Sequence, residues 1–323
     1  MEIILTVSSP PHIYGKDTIA RRMRDVVIAL SPACIFGIYH YGNRAFITIF
    51  VSVFSAVCAE FLYQRVAGKK VTVNDYSAAI TGLLLAFNLP PGVPLWLPAI
   101  GSVFAIVAVK QLFGGLGSNF VNPALAARAF LLASFPVYMT SWTFPDAVTG
   151  ATYLAVIKNN PLFVPQLSDF TALLFGKIGG CIGETSAAAL IAGGLYLIIR
   201  KVINWRIPVF YIGTFALFAF VFGRGNFLSG NVLFEVLSGG LLMGAFFMAT
   251  DYATSPITSA GKVVMGIGCG FITVIIRFFG GYPEGVSYAI LIMNLFVPLI
   301  DKYFRPVIYG KSKKNEKPDP DKS

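Results

Sequence analysis

Charged residues are scarce in this sequence. Only 12% of its 323 residues are Asp, Glu, Lys or Arg, and 56% are hydrophobic, whereas an ordinary soluble domain carries roughly 25% charged residues. This shortage of charge excludes a single water-soluble core and indicates an integral membrane protein. The apolar material comes in separated runs that are long enough to cross a hydrocarbon layer of about 30 Å, although some of them are only just long enough.

Histidine and cysteine are scarce as well. The sequence contains two histidines and four cysteines, with no CxxC pair: His12, His40, Cys34, Cys58, Cys181 and Cys269. This spacing offers no usual ligand set for zinc, haem or an iron–sulfur cluster, so we predict no metal site in this chain alone. We interpret the cysteines as packing residues. An iron or iron–sulfur ligand shared with another subunit is the alternative.

The net charge of +10 does not indicate a nucleic-acid-binding face. Its basic residues stand in short connections and in the tails, beside the apolar runs, and therefore report on membrane topology. Placing both termini in the cytoplasm puts most of the 25 lysines and arginines on that side. The opposite side then receives Arg44, Lys158, Lys177, Arg224 and Arg277. The positive-inside rule favours this orientation.

The apolar runs predict an all-α membrane protein with about ten spans. They lie near 26–41, 45–63, 76–89, 93–109, 123–139, 183–200, 207–222, 232–249, 263–279 and 285–304. The corresponding organisation is a cytoplasmic N-terminal segment (1–25), a first five-helix repeat (26–139), an outer-face loop (140–182), a second five-helix repeat (183–304) and a basic cytoplasmic tail (305–323). Two repeats of five spans, an odd number, would have opposite orientations in the membrane.

Weak internal similarity supports two repeats. Thr81-Gly-Leu-Leu-Leu85 resembles Gly239-Gly-Leu-Leu-Met243, each in the third span of its half. Chance similarity between apolar helices is the alternative. The third span is short and ends in Asn88-Leu-Pro-Pro-Gly92, and its counterpart ends near Thr250-Asp251 and Ser255-Pro256, which indicates either a site near the middle of the membrane or simple surface turns.

A polar motif interrupts the outer-face loop. Residues 146–152 read Asp-Ala-Val-Thr-Gly-Ala-Thr, a D-x-x-T-G-A-T pattern. Thr followed by small residues also occurs at helix starts, so helix capping is one interpretation of Thr152. A hydroxyl that can attack a phosphate is the other.

The motif resembles the flavin attachment site of one family of membrane proteins. This family comprises the D subunits of Rnf-type ion-translocating complexes and the B subunits of sodium-translocating NADH:quinone oxidoreductases. Ser8-Ser-Pro-Pro-His12, the stretch 122–130 (Asn-Pro-Ala-Leu-Ala-Ala-Arg-Ala-Phe) and Gly183-Glu-Thr-Ser186 also look like this family. The resemblance covers the whole chain. The short segment before the first span favours the Rnf D type.

The resemblance implies a flavoprotein. Thr152 would carry FMN through a phosphoester bond, and Asp146, Thr149, Gly150 and Ala151 would be recognised by a flavin transferase. A second, non-covalent flavin, FMN or riboflavin, is implied without assigned residues. By its resemblance to the Rnf D type, the chain would be part of a complex that passes electrons between ferredoxin and NAD while moving sodium or protons. This complex would lie in the cytoplasmic membrane of prokaryotes and contain other membrane and peripheral subunits. No catalytic residue is assigned to this chain.

Three charged residues in or beside predicted spans are candidates for function. Arg128 lies inside the fifth span, where a central charge costs on the order of 3 kcal/mol, so we predict a partner: a flavin phosphate, a helix C-terminus or a carboxylate of another subunit. Glu184 opens the sixth span, as a cap or on an ion path. Asp251 ends the eighth span and is a second ion-path candidate. Asn119 and Asn122 are expected to cap the fifth span.

Two other classes of protein have similar architectures. A stand-alone channel or solute transporter can use inverted repeats with broken helices, but it has no use for a covalent flavin. A scaffold that has lost its cofactor predicts a degraded attachment motif. The intact Asp146 and Thr152 favour the flavoprotein over both.

Overall fold

The computed structural model describes residues 18–142, 152–159, 165–176, 179–223, 228, 230–281 and 284–304. All regular secondary structure in these ranges is helical, as the sequence predicts. Several predicted features lie outside the described residues: the tail 305–323, the N-terminal segment up to residue 17, Lys177, Arg224 and most of the attachment motif.

The first half of the chain contains six helices in its described part. They are α1 (Ile19–Tyr41), α2 (Asn43–Val66), α3 (Ser77–Phe87), α4 (Trp96–Phe104), α5 (Pro123–Ser134) and α6 (Pro136–Met139). A 3-10 turn, Val73–Asp75, precedes α3, and α4 continues as a π-helical segment, Ala105–Gln111. Extra residues in a π-helical turn often accompany functional positions.

The remaining described elements begin beyond the attachment motif. They are α7 (Tyr153–Asn159), α8 (Leu167–Phe175), a 3-10 turn (Ile182–Glu184), α9 (Ala187–Ile199), α10 (Arg206–Phe222), α11 (Val232–Leu237), α12 (Leu241–Met243), α13 (Ser259–Phe279) and α14 (Val286–Tyr303). A second π-helical segment, Gly244–Met248, continues α12. Both π-helical segments interrupt runs that hydropathy alone treats as uniform spans.

Side-chain caps fix several helix starts. Asn122 accepts a hydrogen bond from the backbone N–H of Ala124 (3.0 Å), and Pro123 occupies the first helical position of α5. Ser186 accepts from the N–H of Ala189 (3.2 Å) and caps α9. These residues satisfy N–H groups that have no partner within the helix.

Three described helices are long and apolar enough to cross a membrane, judged by length and composition. They are Asn43–Val66, Ser259–Phe279 and Val286–Tyr303, and shorter apolar helices accompany them at Ser77–Phe87, Trp96–Gln111, Pro123–Ser134, Ala187–Ile199 and Arg206–Phe222. Helices therefore lie where the apolar runs predict spans. Ten crossings and the domain boundaries stay predictions.

Small residues allow close helix packing. The extensive contacts of α10 with α13 include Gly270, where a Cβ would lie 2.7 Å from the carbonyl oxygen of Tyr211. Between α2 and α3, a Cβ on Gly82 would lie 2.8 Å from the carbonyl oxygen of Ser52. Such close approach is typical of helices packed within a membrane.

Helices α5 and α14, one from each half, pack antiparallel and exchange polar contacts. Arg128 of α5 donates to the Ser287 hydroxyl at the start of α14 (2.9 Å). In return, the Asn294 amide of α14, in the orientation that satisfies both of its polar atoms, accepts from the N–H of Asn122 at the start of α5 (3.1 Å). This pair of helices connects the halves near the end of α3, where the candidate site lies.

Candidate functional site

Thr152 directly precedes α7 and is buried, with 6% of its surface exposed. Its hydroxyl oxygen accepts a hydrogen bond from the backbone N–H of Ala155 (3.3 Å), so it caps the helix. The other motif residues predicted to contact a transferase lie outside the described residues: Asp146, Thr149, Gly150 and Ala151. Capping does not remove the hydroxyl as a nucleophile, because an accepted bond leaves its proton available.

Helix α7 is docked onto the rest of the protein. Leu154 is buried beside Gly239, which has a positive φ of 69° and where a Cβ would lie only 2.6 Å from Leu154 Cδ1. Ile157 packs with Leu173 and Phe234, and the Lys158 ammonium donates to the carbonyl oxygen of Gly280. These contacts hold Thr152 against the junction of the two halves.

Helix α8 supports α7 from the side. The Tyr153 hydroxyl donates to a carboxylate oxygen of Asp169 (3.2 Å), and its ring meets Phe234 edge to face. Burial, and then the neighbouring Asp169 carboxylate, raise the pKa of Tyr153 above its ordinary value. Tyr153 therefore stays protonated and donates this bond at physiological pH.

A cavity of about 10 Å³ lies beside Thr152. Its polar lining comes from Thr152, Ser238, Glu184 and Glu284, and Gly239 closes one side. Such a volume is about that of one water molecule. A flavin ring system does not fit inside it.

Arg128 belongs to α5, and its buried side chain lies at the C-terminal end of α3. It has a partner there, as predicted. Its guanidinium is paired with the Glu284 carboxylate and donates to Asn88 Oδ1 and Ser287 Oγ, each at 2.9 Å. The carboxylate belongs to this chain, a source that was not among the predicted partners; the flavin phosphate, the helix C-terminus and the carboxylate of another subunit stay predictions. Glu284 follows a Gly-Gly turn that hydropathy assigns to a loop, and only its position just before the last apolar run indicates a buried role.

Arg277 is fully buried, and its predicted place on the outer side of the membrane stays a prediction. It lies in the last turn of α13, donates to the carbonyl oxygen of Glu235 (2.6 Å) and approaches the Glu235 carboxylate (3.4 Å). Its guanidinium also stacks over the Phe215 ring, 4.7 Å from the centroid. Sequence reasoning missed this pair because both residues lie at the ends of apolar runs.

Glu184 lies in the 3-10 turn before α9 and is only 6% exposed. The predicted cap role belongs to Ser186 instead. Among the described residues, Glu184 has no ion pair within 4 Å, and its Oε1 atom has no hydrogen-bond partner. Ligand atoms of Cys181, Glu184 and Glu284 all lie within 4.8 Å of one another.

We name this set of buried charges the arginine cluster: Arg128, Arg277, Glu184, Glu235 and Glu284. Cys181 adjoins the cluster, since its sulfur lies 3.7 Å from the Arg128 guanidinium and donates to the carbonyl oxygen of Asn88 (3.4 Å). The predicted residues Thr152, Arg128 and Glu184 thus come together, although they are far apart in the sequence.

Asp251 is not part of this cluster. It accepts from the Thr254 hydroxyl (3.2 Å) and lines a separate cavity of about 80 Å³ together with Lys110, Asn122 and Thr250. That cavity lies at the beginning of α3, whereas Arg128 lies at its end. Among the described residues, Glu184 and Asp251 therefore line two different cavities. In the same region Asn119 donates to the carbonyl oxygen of Val121 (3.2 Å) and does not cap α5.

Comparison with known proteins identifies relatives over nearly the full length. The model of the NQR2, RnfD, RnfE family matches residues 6–310. A protein of Acetobacterium woodii, named as the D subunit of a Na(+)-translocating ferredoxin:NAD(+) oxidoreductase complex, is 51% identical and covers 97% of both chains. A protein of Clostridium ljungdahlii, named as the D subunit of a proton-translocating ferredoxin:NAD(+) oxidoreductase complex, is 43% identical over 95% of this chain and 96% of its own length.

A more distant relative comes from Halorhodospira halophila. It is named as the D subunit of an ion-translocating oxidoreductase complex and is 37% identical over 94% of this chain and 95% of its own. All three relatives are thus named as the same component of their complexes, but their names differ in the ion.

Proposed function

This chain belongs to the NQR2, RnfD, RnfE family, and on that premise we propose that it is a membrane subunit of an ion-translocating ferredoxin:NAD oxidoreductase complex that carries FMN at Thr152. The observation that carries the proposal is the nearly full-length match to proteins named as D subunits of such complexes. A redox-driven translocase subunit needs an electron carrier, and the motif that ends at Thr152 supplies an attachment residue for one.

The attachment chemistry suits a threonine hydroxyl. A flavin transferase would bring FAD to Thr152, the hydroxyl oxygen would form a bond to the FMN phosphorus, and the bond to AMP would break. The hydroxyl proton goes to a base of the transferase, and AMP leaves. FMN supplies transfer of one or two electrons when it is bound.

The residues around Thr152 fit such a group in chemistry and limit it in space. Thr152 supplies the hydroxyl that would form the ester, and because the carboxylates of Glu184 and Glu284 line the cavity beside it, the phosphate has to lie outside that cavity. Because the adjoining cavity holds about 10 Å³, the ring system has to lie outside it. The second flavin stays a proposal without assigned residues, since the cavity at Asp251, of about 80 Å³, is also too small for a flavin as it stands.

We propose the topology that the sequence predicts: both termini in the cytoplasm, two inverted five-helix repeats in the prokaryotic inner membrane, and the loop 140–182 on the outer face. The reciprocal contacts of α5 and α14 support the repeats, because each helix places a polar side chain against the start of the other. Lipid surrounds the exposed apolar faces, and the other subunits of the complex are obligatory partners.

The coupling ion is sodium or a proton. Relatives of both kinds match this chain over at least 95% of its length, so overall similarity does not decide between them. The described charges near Thr152 are two guanidinium groups, Arg128 and Arg277, and three carboxylates, Glu184, Glu235 and Glu284, so their sum is negative and a cation would balance it. Glu184 is a buried carboxylate that lines the cavity beside Thr152, and it is our candidate for the ion path. Asp251, at the other end of α3, stays a second candidate.

The test is covalent flavin on a denaturing gel. Full-length chain is co-expressed with a flavin transferase, and ultraviolet fluorescence of the band is recorded for wild type, Thr152→Ala and Thr171→Ala. Thr171 is an exposed threonine of α8 and serves as the matched control. We expect fluorescent bands for wild type and Thr171→Ala and a dark band for Thr152→Ala. A dark wild-type band, with a transferase active on another acceptor, would overturn the proposal.

A further inference from the structure

Among the described residues, Glu184 is a buried carboxylate that forms no ion pair. In the arginine cluster, Arg128 pairs with Glu284 and Arg277 pairs with Glu235. Glu184 has no such pair among the described residues, and its Oε1 atom accepts no hydrogen bond there. A buried carboxylate without a partner costs several kcal/mol unless something neutralises it.

The space beside Glu184 suits one small ion. The cavity of about 10 Å³ is lined by the carboxylates of Glu184 and Glu284 and by the hydroxyl residues Thr152 and Ser238. The Ser238 hydroxyl donates to the carbonyl oxygen of Glu235 (3.4 Å), and Thr152 accepts one N–H bond. Each oxygen therefore keeps a lone pair for a ligand. Oxygen ligands of this kind suit hard cations.

The charges around the cavity limit the ion to a single positive charge. The groups that face Glu184 are Arg128 from α5, Arg277 from α13, Tyr41 from α1, Cys181 and Glu284. Since the cluster holds three carboxylates and two guanidinium groups, one monovalent cation completes its neutrality. A divalent ion would leave an excess of positive charge next to Arg128.

We propose that Glu184 and Glu284, together with the Ser238 hydroxyl and the side-chain oxygen of Thr152, bind one monovalent metal cation directly at the flavin attachment residue. The meaning of this site for the complex rests on the proposed function, because a cation held here lies next to the group that gains and loses electrons. Binding itself requires no flavin. An added electron at Thr152 would then strengthen the attraction for the cation, and its removal would weaken it.

The test uses full-length chain produced without a transferase, reconstituted in lipid nanodiscs. Thermal unfolding is followed by tryptophan fluorescence while sodium chloride replaces choline chloride at constant ionic strength. We expect a rise in Tm that saturates with sodium for wild type, because the cation binds only the folded state. Glu184→Gln loses this rise and, in choline, unfolds at or above the wild-type temperature, because the amide carries no charge to neutralise.

Asp301→Asn is the matched control and keeps the sodium-dependent rise, because Asp301 lies near the C-terminal end of α14 and accepts a bond from the N–H of Ile257 (3.1 Å). Equilibrium dialysis with radioactive sodium gives a second readout, for which we expect one ion per wild-type chain and none for Glu184→Gln. An equal rise in all three proteins, or no rise in wild type, overturns the proposal. So does an infrared band of a protonated carboxylic acid that wild type shows in sodium and Glu184→Gln lacks, because Glu184 then holds a proton.

This experiment separates the two proposals. If the gel band of the flavinylation experiment is dark but sodium stabilises wild type through Glu184, the flavin assignment fails and the cation site stands. If the band is fluorescent but sodium has no effect, the flavin assignment stands and the cation site fails.

Discussion

Two buried charged clusters lie at opposite ends of α3, and they differ in how completely they are satisfied. The lysine cluster, which we define as Glu60, Lys110, Gln111 and Ser77, lies at the beginning of the helix. The Lys110 ammonium donates to both Glu60 oxygens (2.9 and 3.1 Å) and to Ser77 Oγ (2.6 Å). Gln111 adds a further bond to Glu60 (2.6 Å). All three ammonium protons are used.

The arginine cluster, at the end of α3, satisfies two of its carboxylates and leaves Glu184 without a cation. A closed network such as the lysine cluster rigidifies the fold, and nothing in it indicates a missing ligand. An incomplete network beside a cavity and a candidate attachment residue indicates that a ligand belongs there. We therefore expect the first cluster to stabilise the fold and the second to bind a ligand.

The largest expected effect comes from opening the closed cluster. Glu60→Gln leaves the Lys110 ammonium buried beside a neutral amide, and we expect a loss of about 3–5 kcal/mol in the free energy of unfolding. Denaturant unfolding in detergent micelles measures it. The double variant Glu60→Gln with Lys110→Met should recover most of the loss. Full stability of the single variant would show that the pair is not closed as described.

A smaller effect is expected from a change of geometry in the arginine cluster. Arg277→Lys keeps the charge but loses the planar group that reaches both the carbonyl and the carboxylate of Glu235. We expect a loss of about 1–3 kcal/mol, the cost of an unsatisfied buried polar group. Thermal unfolding measures it, with Lys262→Arg on the same helix as control. A loss as large as that of Glu60→Gln would contradict this ranking.

The Asn122 cap at the start of α5 is expected to contribute less to the free energy of unfolding. Asn122→Ala removes the acceptor for the first N–H groups of α5 and the bond to the Met248 carbonyl (3.3 Å). We expect a loss of about 1 kcal/mol. Asn119→Ala, which does not cap α5, should cost less in the same unfolding measurement. The reverse order of the two variants would show that the cap is assigned to the wrong asparagine.

The smallest effect is expected at the carboxylate without a partner. Glu184→Gln is the same chemical change as Glu60→Gln, yet in sodium-free buffer it should cost no stability, since it removes no ion pair. Parallel unfolding of the two variants gives the comparison directly. A loss at Glu184 equal to that at Glu60 would mean that Glu184 has a cationic partner after all.

The sequence predicts the apolar helices well because hydropathy depends on local composition. Long runs become α2, α13 and α14. The π-helical segments 105–111 and 244–248 could not be predicted, because their shifted hydrogen bonds depend on packing between helices. Hydropathy treats both as ordinary parts of spans.

The candidate site was only partly predictable, because only some of its residues leave a local signal in the sequence. Arg128 stands out because a charge interrupts an apolar run, and Thr152 stands out by its motif. Arg277, Glu235 and Glu284 lie at the ends of runs, where a charged residue ordinarily meets water, and only the fold shows that these ends are buried. Partners that are distant in the sequence leave no local signal.

The most direct test of the account is the chemical state of Thr152 in the complex from its native membrane. The complex is purified and digested, and the peptide that contains Thr152 is examined by mass spectrometry with fragmentation. The account predicts that the peptide carries one FMN phosphoryl group and that the fragments place it on Thr152. An unmodified Thr152, in a preparation that oxidises ferredoxin with NAD, would contradict the account.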